Sequence, residues 1–356
     1  MTYSGIITAA GLSSRMGDFK PLLKINGLPM IVHTVLSMQN AGVSPVCVVT
    51  GYRGDEIKSA LNGYDVVFAE NEDYASSDML TSIKLGLEKI KNSDGFFLLP
   101  GDMPLISPHV FKAVSDAEGS YIIPTVNGKN AHPPLIKKHC FEALLSFEGE
   151  GGLPSALADF EKTYIEAGDA DSNRDADFKH EFDELSAIGK KRLGMSDELC
   201  VEILKEANTP SHIAAHCIAV GKLAFKMAKK LIENGYYIDA LLCKSAGSLH
   251  DIKRLEKMHA KAGSDYVKAL GYDAVGSIIE SHMTAENLPE DFNEHTVVFL
   301  ADKLMREREF VTPDVRYAPA LEKFPSDTDI GTRIKHDLTF SKVLFEKYLA
   351  ITGDKL

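Results

Sequence analysis

Apolar and polar positions divide the chain into two stretches of different period. Through residue 99, short apolar runs at 5–7, 46–51, 66–68 and 96–99 alternate with segments at 30–38, 54–61 and 82–90. In those segments the apolar residues recur every three or four positions. Unbroken runs of this length suit strands buried on both faces, and the longer period suits amphipathic helices. Strands alternating with helices predict a mostly parallel, Rossmann-like sheet with helices on both faces. Beyond a short basic stretch bounded by Gly189 and Gly194 the runs stop and the period is helical. Thr209-Pro210 opens one helix, with Ile213, Val220, Leu223, Ala224, Met227 and Leu231 on its apolar stripe. A second covers 240–249, and further helical patterns end near His282 and run through Asp302. The chain of 356 residues is long for a single core. Two domains are therefore expected, 1–192 of α/β type and 193–356 all-α, with no internal repeat.

The first strand runs into the loop 8–23, where Ala9, Ala10, Gly11, Ser13 and Ser14 are small enough for the backbone to approach a ligand closely. Gly11 and Gly17 can adopt positive φ. Such a loop leaves several N–H groups pointing one way, which suits an anion such as a polyphosphate. Arg15 and Lys20 add a guanidinium fork and a point charge. Neither a Gly-Lys-Ser/Thr ending nor a Gly-x-Gly-x-x-Gly pattern is present. Ligands on parallel sheets gather at the carboxyl ends of strands. Besides the loop, Thr50-Gly51-Tyr52 and Pro100-Gly101-Asp102-Met103-Pro104 fall at such ends. A carboxylate there, beside a triphosphate, is what Mg²⁺ requires, so Asp102 is a candidate ligand.

At these residues the chain resembles the MobA-like NTP transferase family, which attaches a nucleoside monophosphate to a phosphorylated acceptor. Ala9-Ala10-Gly11 is similar to the molybdenum cofactor cytidylyltransferase branch, and Gly101-Asp102-Met103-Pro104 to the family's metal-binding motif. The resemblance implies CTP and a phosphorylated acceptor, molybdopterin first, as partners, with a molybdoenzyme receiving the product. It implies Arg15, Lys20 and Asp102 as catalytic residues. Ala9, Ala10, Gly11, Ser13, Ser14, Gly51 and Ser82 would contact the nucleotide. His132-Pro133 resembles a Gly-His-Pro segment near the acceptor. Asp175-Ala176-Asp177 is similar to an Asp-Ile-Asp ending that points to Asp177 as the other Mg²⁺ ligand, although the Thr-Pro that normally follows is missing.

In the second half, His216 lies on the apolar stripe of its helix, His250-Asp251 follows another apolar helix, and Asp302 follows a third. The order His, His-Asp, Asp resembles the HD-domain metal-dependent phosphohydrolases across most of 210–304. The resemblance implies His216, His250, Asp251 and Asp302 as ligands of one divalent transition metal, with His259 and His282 where two-metal members carry further ligands. Imidazoles and carboxylates from separate helices can hold such an ion and activate water. His212 reads as helix start or outer shell, and His336-Asp337 as helix surface. Ile252-Lys253-Arg254 replaces the family's Ile-Gly-Lys.

Composition narrows the partners. A formal net charge of −12 argues against nucleic acid or an anionic membrane surface. Five scattered cysteines without a C-x-x-C pair fit reduced thiols in the cytoplasm, and neither a leader pattern nor a membrane-length apolar run is seen. Two other readings of the first half remain: a nucleotidyltransferase for a sugar or alcohol phosphate, and a nucleotide sensor regulating the hydrolase.

Overall fold

The computed structural model describes residues 2–12, 16–168, 170–171, 173–324 and 328–354. Ser13, Ser14 and Arg15 of the loop lie outside the described residues. The chain divides into two compact units, Met1–Gly189 and Lys190–Leu356. The division falls inside the helix Lys179–Arg192, so the basic stretch is helical rather than a linker.

The first unit is built on strands β1 (Tyr3–Ala9), β2 (Val46–Thr50), β3 (Val67–Glu70), β4 (Gly95–Pro100), β5 (Tyr121–Val126), β6 (Leu135–Lys137) and β7 (Lys162–Glu166). They lie in the order β7-β5-β6-β4-β1-β2-β3. All neighbours are parallel except β6, which runs antiparallel to both β4 and β5. β2 and β4 carry no polar residue before their last turn, and nearly all their side chains are buried, as strands covered on both faces require. Helices α1 (Met30–Asn40), α2 (Gly54–Ala60) and α3 (Met79–Ile90) lie among the crossovers. Ile83 and Leu87 of α3 pack with Ile6, Val49 and Leu98 of the sheet. Register then decides the site. Ala9 pairs with Thr50 and Thr8 with Pro100, so the loop, Gly51 and Asp102 leave the sheet at one level.

The second unit is helical: α4 (Ser211–Glu233), α5 (Ala240–Leu249), α6 (His259–Ala269), α7 (Asp273–Ser281), α8 (Glu294–Lys303), α9 (Pro313–Lys323) and α10 (Asp329–Thr352), preceded by Asp197–Glu206. Asp239 caps α5 by accepting from Leu242 N–H, and Asn293 with Thr296 forms a capping box on α8. Val220, Met227, Cys243, Ile279, Phe299 and Tyr348 share one core. One sequence expectation fails here. His336 is exposed, but Asp337 is buried, accepting from Ala285 N–H at 2.8 Å and from the Thr284 hydroxyl at 3.3 Å. Among the described residues no helix is long and apolar enough to cross a membrane.

Candidate functional sites

In the first unit a cavity of about 310 Å³ opens at the carboxyl edge of the sheet. Ala9, Ala10, Gly11, Lys20, Ser82 and Asp102 all line it. Lys20 is buried, its ammonium 2.5 Å from Asp177 Oδ1 and 3.6 Å from Asp102 Oδ2. Two carboxylates separated by 75 residues thus converge on one cation. Burial pushes the Asp102 carboxyl above its ordinary range, partly offset by Lys20 and reinforced by Asp175. A divalent cation would reverse that burden, and hard carboxylate oxygens suit Mg²⁺. Asp177 is held by its backbone. Glu181 Oε2 accepts N–H bonds from Asp177 at 2.7 Å and Phe178 at 2.8 Å, at the start of the helix Lys179–Arg192.

Gly51 serves the cavity from behind. A Cβ there would lie 2.8 Å from Ala10 O and 2.7 Å from Tyr74 Cβ, so only glycine lets β2 turn under the loop. The sequence had placed it on the nucleotide; it does not line the cavity. Ser82 does, and it accepts from buried Asn71 at 3.0 Å. The cap of α3 is Asp78, which accepts from Thr81 N–H. Asn71 and Tyr74 were not read from the sequence. Asn71 immediately follows β3, and the strand-end rule applied to that strand would have found it. His132 lies outside the cavity lining, its Nδ1 3.4 Å from Leu98 O, with burial depressing its basicity.

In the second unit His216, His250, Asp251, His259, His282 and Asp302 meet at one place. Their donor atoms form three overlapping triads, each within 4.8 Å: His216-His250-Asp251, His250-His282-Asp302 and Asp251-His259-His282. The helices deliver them from different directions. His216 is in the second turn of α4, His250 and His282 follow the last residues of α5 and α7, His259 opens α6, and Asp302 is near the end of α8. Three rings are oriented alike. Nδ1 faces a backbone carbonyl in His216 (Glu307, 2.8 Å), His250 (Gly247, 2.8 Å) and His282 (Ile279, 2.6 Å). An Nδ1–H donated there leaves Nε2 as the lone pair turned inward. The Nε2 atoms of His250 and His282 are buried with no hydrogen-bond partner. Buried nitrogens left open beside two carboxylates fit a metal ion.

Asp251 reaches both sides, Oδ2 lying 3.5 Å from His250 Nε2 and Oδ1 3.2 Å from His259 and 3.6 Å from His282. Asp302 Oδ1 is 3.3 Å from His216 and 3.5 Å from His250. Its Oδ2 is held at 2.7 Å by buried Lys303, which also donates to His282 O at 3.2 Å. Burial works against the Asp302 charge, but the Lys303 ammonium beside it holds the carboxyl well below its usual range. Lys303, Arg254 and Arg316 were not predicted. Arg254 Nη1 is 2.9 Å from His259 Nε2, and Arg316 Nη2 is 3.7 Å from Asp302 Oδ1.

Comparison with known proteins divides the chain in the same way. The MobA-like NTP transferase domain matches residues 5–164 and the HD domain matches residues 213–307. The molybdenum cofactor cytidylyltransferase of Escherichia coli K12 is 33% identical over 183 residues, covering 50% of this chain and 92% of that protein. The 2-aminoethylphosphonate cytidylyltransferase of Lancefieldella rimae is 30% identical over 115 residues, 31% of this chain and 46% of that one. A nucleotidyl transferase structure from Methanothermobacter thermautotroptrophicus is similar at 24% identity and a TM-score of 0.47, over 52% of this chain and 96% of that one.

Proposed function

The chain belongs to the MobA-like NTP transferase family and carries an HD domain after it, and from that premise we propose that it transfers CMP from CTP to molybdopterin and separately hydrolyses a phosphoester. The observation that supports the transferase half is the convergence of Lys20, Asp102 and Asp177 at the mouth of the loop cavity. A triphosphate laid along Ala9, Ala10 and Gly11 would meet main-chain N–H groups, with Lys20 beside it. Arg15 is the second cation of the proposal. Asp102 and Asp177 would hold Mg²⁺, which supplies charge neutralisation and alignment to the phosphates. Lys20 keeps the two carboxylates together before nucleotide arrives and neutralises charge on the phosphate afterwards. Ser82 and Asn71, bonded to each other, line the same cavity. The acceptor phosphate oxygen bonds to the α-phosphorus, and pyrophosphate leaves. Positioning and electrostatics carry such a reaction.

For the HD half, His216, His250, Asp251 and Asp302 would hold one divalent transition metal, and His259 and His282 with Asp251 a second. A bound ion supplies Lewis acidity at a phosphate and acidifies water near neutral pH. The backbone carbonyls fix the imidazole tautomers, and Lys303 fixes Asp302.

The deciding experiment is pyrophosphate release from each of the four NTPs with molybdopterin, sugar phosphates or 2-aminoethylphosphonate as acceptor. CTP with molybdopterin should be fastest, and Lys20→Ala should slow it about a hundredfold or more. Activity with another acceptor alone would replace molybdopterin, and CTP binding without turnover would favour the sensor reading. A second reading, a phosphonate acceptor, is favoured by the similarity to the 2-aminoethylphosphonate enzyme.

A further inference from the structure

We propose that the metal cluster of the second unit hydrolyses a two-armed phosphate, a diester with an apolar or aromatic group on one side and a further anionic group on the other. The proposal rests on the hydrolase reading above and adds the substrate class. Two cavities, about 620 and 770 Å³, flank the cluster. His259 and Asp302 reach the first, His216 and Asp251 the second. Arg254 and Arg316 line both. A phosphate at the cluster would therefore have a guanidinium at each side and open space in two directions. A phosphomonoester fills only one of them.

The two spaces differ in chemistry. Met258, Met283, Tyr317, Ala320 and Ile334 give the first an apolar wall. Lys261, Glu280 and Lys303 are matched there by Asp265, Lys268 and Asp302, and Arg254, Arg316 and Arg333 line this space as well. The second is lined by Arg254, Arg306, Arg308 and Arg316 against the carboxylates of Asp251 and Glu307. One turn builds that cationic wall and the cluster together. The strand pair Met305–Arg306 and Glu309–Phe310 closes through Glu307, whose left-handed backbone (φ 57°) turns its carbonyl to His216 Nδ1. Arg306 and Arg308 flank that residue, so the turn orienting a metal ligand also presents two guanidiniums to the second space. The segment after Asp251 does the reverse service: Leu255, 78% exposed, lines the second space and Met258, 79% exposed, lines the first. Exposed apolar side chains at both mouths suit organic arms on both sides of the phosphorus.

In the reaction a water oxygen forms a bond to phosphorus and the P–O bond to the aromatic arm breaks, its electron pair staying on the departing oxygen. The water protons pass to that oxygen and to solvent.

The test uses the full chain loaded with Mn²⁺ and three chromogenic probes. They are 4-nitrophenyl phosphate, thymidine 5′-(4-nitrophenyl phosphate), and the same diester carrying a 3′-phosphate. The expected order of kcat/KM rises along that series, with the 3′-phosphate worth about tenfold, as one charge-assisted contact would give. The double variant Arg306→Gln/Arg308→Gln should bring that last ratio towards one while Mn²⁺ content by mass spectrometry is retained. Calorimetry supplies a readout without turnover: thymidine 3′,5′-bisphosphate should bind about tenfold tighter than thymidine 5′-phosphate, and the double variant should lose the difference. Equal or faster hydrolysis of the monoester, a ratio that survives in the double variant, or equal calorimetric affinities would each overturn the two-armed assignment. Failure to hydrolyse any probe with the calorimetric preference intact would sink the hydrolase reading and leave the arm assignment standing.

Discussion

At the residue scale, Lys303 shows how much of the second site rests on a side chain that coordinates nothing. Its buried ammonium donates to Asp302 Oδ2 and to the carbonyl of His282. Lys303→Met would leave a buried carboxylate oxygen without its partner, which typically costs about 3–5 kcal/mol. Metal affinity should fall about 10–100-fold, as for other groups that orient ligands. Competition with a chelating dye measures it; unchanged affinity would show Asp302 fixed by other means. Lys303 was illegible because adjacent residues on a helix point about a third of a turn apart. Nothing in the sequence says that both turn to the same buried place. The histidines were legible through their order, His216, then His250-Asp251, then Asp302, which resembles that of HD domains, and not through any one imidazole by itself.

His33 carries a different residue-scale prediction. It is fully buried in α1, its Nε2 2.9 Å from Ile25 O, and burial depresses its pKa from 6.5 to about 4. Above pH 6.5 the imidazole is neutral whether the unit is folded or not, so its contribution is intact. As pH falls from 6.5 towards 4 the unfolded chain takes up a proton that the folded unit refuses. The first unit should lose about 3 kcal/mol across that window. Hydrogen exchange in β1 and β2 followed against pH reads this, and His33→Gln should flatten the slope.

At the scale of elements, the meeting of α4 and α5 is the critical packing. A Cβ on Gly221 would lie 2.1 Å from Ser248 Oγ and 2.7 Å from Lys244 O, and one on Gly247 would lie 2.9 Å from Gly221 Cα. The helices touch backbone to backbone. That closeness brings His216 of α4 to His250 beyond α5, with ring centroids 5.1 Å apart. Gly221→Ala must push the helices apart, because backbone of the partner helix cannot move aside. Overpacking of this kind costs about 1–3 kcal/mol. The wider spacing should also lower metal content, read by elemental analysis of the folded variant; full metal content with reduced stability would show the cluster tolerant of the shift. The apolar stripes of both helices were readable, but two glycines amid other small residues do not announce which helix they face. In the first unit, likewise, runs of apolar residues disclosed β1, β2 and β4. The antiparallel insertion of β6 between β4 and β5 did not show, since strand direction leaves no mark on a three-residue run. Gly51 was legible as a special position but not in its reason, which depends on Ala10 and Tyr74.

At the scale of the whole molecule, each unit has a core of its own, Ile6, Val49, Ile83 and Leu98 in the first, and Val220, Met227, Phe299 and Tyr348 in the second. Among the described residues, the buried imidazole nitrogens left open, those of His250 and His282, lie in the second unit. A transition metal should therefore stabilise Lys190–Leu356 by mass action, because unfolded chain scatters the six donors. With free ion near a hundred times its dissociation constant the gain is about 2.7 kcal/mol. Chelation in the absence of nucleotide should speed amide exchange in α4, α5 and α8 by the corresponding factor, about a hundredfold. Exchange in β1, β2 and β4 should stay as it was, since carboxylates around Lys20 bind such an ion weakly without phosphate beside them. Asp251→Ala should exchange at the chelated rate with metal present. If chelation instead loosened β1 and β4 and left α4 as it was, the ion that matters would reside at Asp102 and Asp177, and the imidazole cluster would lose its claim.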